Sequence, residues 1–224
     1  MASNLDLQEQ EQLDELKAFW NQYGNLITWV ITLVLAGFAA WNGWNWWQRE
    51  QATKATAMFD ELEQAAQAKD VPKVQKVFGD LKERFGGTAV AGQGGLLAAR
   101  VLVDGGQADP ARAALDWVAQ NAHDEGHRQV AHLRLAGLLL DQKSYDDALK
   151  HLDAVTAPDF TALAQDRRGD VLQAQGKTAE AVKAWTAAWT ALPDRLEYRR
   201  VIKAKLTAQG AEPQPASVTV KEAS

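Results

Sequence analysis

The chain has 224 residues and a formal net charge of −5, with 24 Lys and Arg against 29 Asp and Glu, and it contains no cysteine. The lack of cysteine excludes a disulfide framework, a thiol nucleophile and a cysteine-linked lipid anchor. Nucleic-acid binding is not expected either, because proteins of that class usually carry a basic excess or a basic stripe.

Residues 1–24 form a short polar tail, and residues 25–47 are predicted to be a transmembrane helix. No charged residue lies between Lys17 and Arg49. As a helix, residues 26–47 would extend about 33 Å, which is enough to cross a hydrocarbon core of about 30 Å. The charged residues before this segment are acidic except for Lys17, whereas a cleaved signal peptide begins with a basic region. We therefore expect an uncleaved anchor.

Aromatic residues lie at both ends of the apolar segment. Their amphipathic rings prefer the headgroup level of a bilayer, so two groups of them indicate two interfaces. The predicted interface residues are Trp20, Tyr23, Trp41, Trp44, Trp46 and Trp47.

The basic residues that flank the anchor give a weak prediction of orientation. Lys17 precedes the segment, and Arg49 and Lys54 follow it. The positive-inside rule thus favours a cytoplasmic C-terminal side by one charge, but long domains translocate largely regardless of such counts. Both orientations stay open on these grounds.

Residues 48–209 are predicted to form an all-α repeat domain. Apolar residues recur at intervals of three and four, and glycines and prolines separate the short helices. Three similar stretches cover about 95–120, 130–155 and 163–193, and a weaker copy covers 55–81. In the three clear copies two small residues stand 12 apart, which predicts a close contact between the two helices of a hairpin. The predicted packing residues are Ala99 and Ala111, Ala136 and Ala148, and Gly169 and Ala181, with Trp185 filling the neighbouring groove.

Stacked hairpins of this kind form a solenoid whose first helices line a concave, partner-binding surface. The residues expected to project there are Arg134, Asp166, Arg167, Asp170 and Gln173. The alternative is an ordinary solvated face. Residues 194–208 are predicted to cap the last repeat through Leu196, Val201, Ile202 and Leu206, and residues 210–224 to be disordered.

No enzyme site, metal site or cofactor is predicted. The stretch GTAVAGQGG at 87–95 lacks the Gly-Lys-Ser/Thr ending of a phosphate-binding loop, and we interpret it as a flexible link to a helix that begins near Leu96. His123 and His127 have a spacing found in zinc sites, but Gly126 lies between them, and the pair is expected to straddle a loop. An enzyme that uses these histidines is the least favoured hypothesis.

The last two repeats, with Gly169, Leu172, Gly176, Ala181 and Trp185 in order, resemble tetratricopeptide repeats. The full layout, in which a tail ending in LKAFWNQYGN, one anchor and about four degenerate repeats follow each other, resembles the YfgM-like ancillary subunits of the bacterial protein translocon. This resemblance implies a single-pass inner-membrane protein with a cytoplasmic N-terminus and periplasmic repeats. It also implies a non-enzymatic role beside the translocon, with a membrane-anchored isomerase-type chaperone and secreted chains as partners. A membrane-anchored regulator that sequesters a signalling protein is the alternative function.

Overall fold

The computed structural model describes residues 7–193 and 195–212, and within these ranges it contains helices and no strand. The all-α prediction is confirmed. The helices are α1 (Leu7–Gln67), α2 (Val71–Phe85), α3 (Ala89–Asp104), α4 (Ala108–Asn121), α5 (Glu125–Asp141), α6 (Tyr145–Asp153), α7 (Pro158–Ala174), α8 (Thr178–Ala191) and α9 (Arg199–Ala208). Most of the C-terminal tail for which disorder is predicted lies outside the described residues.

The chain divides into two compact units between Gln51 and Ala52. The first unit contains most of α1, which begins at Leu7 and therefore includes much of the predicted polar tail. The second unit begins within the same helix, so that residues 52–67 of α1 belong to the repeat domain. The boundary lies four residues beyond the end of the predicted anchor.

The first unit contains the one helix of the described residues that is long and apolar enough to cross a membrane, and only 6% of its apolar window is buried. Such exposure is unlike the core helix of a soluble protein. Its polar side chains are bonded to the helix itself: Thr28 and Thr32 donate to the carbonyl oxygens of Gly24 and Thr28, and the Asn42 amide donates to Phe38 O. In a hydrocarbon environment no water is present, so polar groups must form their hydrogen bonds within the protein, as these side chains do.

The second unit contains four helical hairpins whose turns share one geometry. Each turn places a residue with positive φ two positions after the end of the first helix: Lys69, Gly106, Lys143 and Gly176. The next residue donates its N–H to a carbonyl five positions earlier at 2.8–2.9 Å, as in a Schellman motif. Because the spacing of these turns is 37, 37 and 33, the copy at 55–81 is a fourth hairpin in register with the rest.

The hairpins stack as a solenoid. Each helix from α2 onward contacts the next as far as α9, and α3 also contacts α5, which contacts α7. The first helices of successive hairpins therefore stand side by side and form one face. Helix α9 caps the last hairpin by burying Ile202 and Leu206, whereas Leu196 and Val201, which were expected to help, are 43% and 46% exposed.

The small residues predicted to pack within the hairpins are all buried. Ala99, Ala111, Ala136, Ala148 and Ala181 are at most 1% exposed. Gly169 lies against the indole of Trp185, so closely that a Cβ at this position would overlap the ring. Trp185 is itself 3% exposed. In the last hairpin the absence of a side chain at Gly169 is therefore what allows the tryptophan to lie between the helices.

The prediction of a flexible link at 87–95 is wrong, because α3 begins at Ala89 with Thr88 as its N-cap. Gly94 and Gly95 are buried inside this helix. A Cβ on Gly94 would meet Leu81 and Leu62, and one on Gly95 would overlap Val118. These glycines do not supply flexibility; they make room for bulky residues of the preceding hairpin and of α4.

A pair of glycine substitutions tests the close packing in α7. We expect Gly169→Ala to lower the free energy of unfolding by about 1–3 kcal/mol, because the added methyl displaces the rigid indole of Trp185. Gly137→Ala in α5 is the control, since its Cβ meets nothing within 4 Å, and it should raise the free energy of unfolding by about 0.5–1 kcal/mol through helix propensity. Urea unfolding of the full chain in detergent, followed by circular dichroism, measures both. Equal effects of the two substitutions would contradict the packing argument.

Candidate functional site

The face formed by the first helices contains a groove of about 700 Å³ between α3, α5 and α7. A second depression of about 670 Å³ lies between α3 and residues 63–71 at the end of α1 and the start of α2. Arg100 and Asp104 line both. The two depressions therefore adjoin each other at these side chains, and we call them together the groove.

The floor of the groove is largely apolar. Val103 of α3 is 46% exposed, and Val130, Leu133 and Leu138 of α5 and Leu163 of α7 are partly exposed and line the same surface. Exposed apolar side chains in a concavity are typical of a surface that binds another molecule.

Three arginines and two aspartates stand on this apolar floor. Arg134 projects from α5, and its Nη1 donates to the carbonyl oxygen of Leu96 in α3 at 2.7 Å. Burial, followed by repulsion from Arg100, lowers the pKa of Arg134 from its ordinary value. Arg167 of α7 completes the set, and Asp104 and Asp141 supply the negative charge.

Two of the five predicted concave residues, Arg134 and Arg167, line the groove. Asp166 does not, because it is 0% exposed and lies against α9 and Tyr198. The expectation that Asp166 is open to a partner is therefore corrected. Asp170 and Gln173 are half-buried and absent from the groove lining.

Asp166 organises a buried polar cluster at the C-terminal end of the domain. Its carboxylate accepts hydrogen bonds from Tyr198 Oη at 2.6 Å and Lys205 Nζ at 2.8 Å. Lys205 also donates to Asp170 Oδ2 at 2.9 Å, and Trp185 Nε1 donates to Asp166 O and Asp170 Oδ1 at 3.1 and 3.2 Å. Burial and the bond to Asp166 raise the pKa of Tyr198. The cluster fastens α9 to α7, and Tyr198 also lines the groove.

The described residues hold no group of three side chains suited to a metal ion. Asp124 is the N-cap of α5 and accepts a hydrogen bond from the backbone N–H of His127 at 2.9 Å. His123 precedes this cap in the loop, so the two histidines do not share a helix face. The residues at 87–95 form part of helix α3 and do not form a phosphate loop.

A family model described as a tetratricopeptide repeat-like domain matches residues 17–211. A protein of Neisseria gonorrhoeae named ancillary SecYEG translocon subunit is 30% identical over 201 residues, which are 89% of this chain and 96% of that protein. A protein of the same name from Escherichia coli is 27% identical over 182 residues, or 80% and 86% of the two chains. The chain belongs to this family of ancillary SecYEG translocon subunits.

The match to the family extends over both units, since it begins within the first half of α1 and ends just after α9. The resemblance to ancillary translocon subunits that the order of anchor and repeats indicated is therefore confirmed.

Sequence reasoning missed several groove residues, above all Arg100, Val103, Leu133 and Tyr198. The positions of residues along the helices, compared between repeats, could have indicated these groove residues. Arg134 and Arg167 are 33 residues apart and occupy equivalent places in successive repeats, and Val130, Leu133 and Gly137 follow the same face of α5 at intervals of three and four. Tyr198 gave no such signal, because it lies between α8 and α9.

Helix α5, which contributes most groove residues, is tied to α6 by a histidine pair. Nδ1 of His132 and Nδ1 of His151 are 3.1 Å apart. Burial and then the charge of His151 lower the pKa of His132, against a smaller opposing effect of Asp116. Burial also lowers the pKa of His151; Asp116 and Asp147 oppose this, and Arg112 and Lys150 add to it. A hydrogen bond between the two rings requires at least one neutral imidazole.

We expect acid to destabilise this hairpin. Because the folded pKa values lie below the ordinary value of 6.5, the stabilisation is fully present above pH 6.5 and is lost as the pH falls towards the folded values. Between about pH 7 and pH 5 the melting temperature of the full chain should fall, and the variant His132→Gln with His151→Gln should remove about 2–4 °C of that fall. The control His123→Gln, outside the pair, should retain it. Identical pH profiles for the double variant and the unmodified protein would contradict this account.

Proposed function

We propose that the protein is a non-enzymatic scaffold of the bacterial inner membrane that associates with the protein translocon. In this proposal residues 25–47 span the bilayer once, and the repeat domain at 48–209 lies in the periplasm. The groove binds chaperones or secreted chains there. Two relatives that align with most of this chain are named as ancillary SecYEG translocon subunits, which supports the translocon association.

The groove is the observation that carries the binding role. It is concave, has an apolar floor with Val103 46% exposed, and its two depressions are lined by residues of all four hairpins. A segment laid along it would cover apolar surface that otherwise faces water, which is favourable. The membrane-anchored isomerase-type chaperone is a candidate occupant from the family resemblance, and secreted chains are the other.

The exposed apolar surface of α1 supports the bilayer as a partner. The predicted interface residues are between 43% and 68% exposed in the first unit: Trp20, Tyr23, Trp41, Trp44, Trp46 and Trp47. Rings in such positions are stabilised at the headgroup level. An anchor would also hold the groove near the site at which chains emerge from a translocation channel.

A cytoplasmic regulator that sequesters a signalling protein is the second candidate. The basic residues favour it, because Arg49 and Lys54 follow the anchor and only Lys17 precedes it. The two functions require opposite orientations, since a cytoplasmic domain cannot receive secreted chains.

The absence of cysteine allows a clean test of orientation. Ala187, exposed on α8, and Ser3 are replaced by cysteine one at a time, and spheroplasts are treated with a membrane-impermeant maleimide before and after lysis. We expect Ala187→Cys to react before lysis and Ser3→Cys only afterwards. The unmodified protein is the background control. The reverse order of labelling would place the repeats in the cytoplasm and favour the regulator.

A photo-crosslinking amino acid at Val103 tests the function of the groove. In cells that carry a secretory precursor stalled in the translocon, we expect crosslinks from Val103 to the precursor or to the isomerase-type chaperone, because the side chain is exposed on the groove floor. The matched control is the same amino acid at Lys183, which is exposed on α8 and does not line the groove. Equal crosslinking from both sites, or none from Val103, would contradict the proposal.

A further inference from the structure

The charges in the groove indicate what kind of segment it selects. We propose that the groove recognises an apolar segment carrying an internal acidic residue, whose carboxylate binds between Arg134 and Arg100. This inference rests on the proposed function, because it assumes that a polypeptide docks in the groove.

Arg134 is a cation whose donors are largely unused. Its guanidinium has five N–H donors, and Nη1 donates to Leu96 O. Among the residues that the structure describes, no carboxylate oxygen lies within 4.0 Å of its guanidinium nitrogens. An arginine fork on an apolar floor, without an anionic partner, is matched in shape and charge to a carboxylate.

Arg100 adds a second positive charge to this part of the groove, which favours the binding of an anion. The side chains of Arg100 and Arg134 both line the groove between α3, α5 and α7. Burial, and after it the positive charge of Arg100, lowers the pKa of Arg134. The nearest carboxylate to Arg100 in an ion pair is Asp104, at 4.0 Å, and both side chains are more than 70% exposed. Such a pair is weak because water screens it. A carboxylate bound between the two arginines would relieve their repulsion.

Arg167 extends the positive charge along the groove. It lies one repeat after Arg134 in the same register, and its contact with Asp170 is 3.8 Å long. Asp170 already accepts hydrogen bonds from Lys205 and Trp185. The depression between α3, α5 and α7 is lined by these three arginines and by two acidic residues, Asp104 and Asp141. Its net charge is therefore positive, which complements an acidic residue on an apolar occupant.

The apolar floor restricts the occupant to a segment that is otherwise hydrophobic. Val103, Leu133 and Leu163 flank the arginines, so neighbouring side chains of the segment can be buried while its carboxylate is paired. A wholly acidic segment would leave this floor exposed, and a wholly apolar one would leave Arg134 without an anion.

Calorimetry with matched peptides tests this inference. The probes are two amidated, N-acetylated peptides, Ser-Leu-Val-Glu-Leu-Leu-Ser-Gly and the same peptide with Gln for Glu, titrated into the full chain in nanodiscs, with empty nanodiscs as background. We expect the Glu peptide to bind about ten-fold more tightly, as for a charge-assisted hydrogen bond. Arg134→Gln should abolish this difference and Arg134→Lys should keep part of it. The charge-matched control Arg84→Gln, on α2 outside the groove lining, should keep it fully.

The possible failures are distinguishable. Equal affinity of the two peptides, with binding of both weakened by Gly137→Leu, would overturn the carboxylate inference and leave the docking function standing. Gly137 lines the groove, and no atom lies within 4 Å of its Cβ position, so the leucine side chain takes up space in the groove. Binding of neither peptide above empty nanodiscs would overturn both. A third probe is the Gln peptide with a free C-terminal carboxylate in place of the amide. If only this peptide bound more tightly than the amidated Gln peptide, the assignment to an internal acidic side chain would be overturned.

Discussion

The repeat domain depends on the close approach of the two helices within each hairpin. In three hairpins the helices approach at small side chains, since the buried positions are alanine or glycine 12 residues apart. The turn of each hairpin then has little freedom, because the helices must reverse within a few residues. A residue with positive φ performs this reversal in all four hairpins. Two of these residues, Lys69 and Lys143, are not glycine, so the tertiary packing holds them in a conformation that L-residues rarely adopt.

The sequence was sufficient to predict the all-α class, the apolar helix, the order of the repeats and their small contact residues, because each of these produces a periodic pattern. It was insufficient for the first hairpin, whose Leu62 and Val74 stand where the other copies have small residues. The structure accommodates this bulk in the neighbouring helix, since Gly94 lies against Leu62 and Leu81. Gly94 makes space for a side chain more than 30 positions earlier in the sequence. When only the residues around it are considered, such a glycine resembles part of a flexible linker.

The error at Asp166 has a different origin. Asp166 occupies in α7 the repeat position that Leu133 occupies in α5, 33 residues earlier, and Leu133 lines the groove. In α7 this position is covered by the cap, because Tyr198 and Lys205 donate hydrogen bonds to the Asp166 carboxylate. The repeat pattern alone cannot show this, because α9 belongs to no repeat.

Tyr198 connects the cap of the domain to its groove. Its hydroxyl group is held by Asp166, the carboxylate of which also binds Lys205 of α9, while the residue itself lines the groove. A buried carboxylate is costly without partners, so the position of α9 is fixed by the need to satisfy Asp166. Because the same cluster holds Tyr198, the C-terminal boundary of the groove is set by the polar packing of the cap. The lining of the groove beside α7 thus depends on the packing of the cap, because one residue, Tyr198, takes part in both.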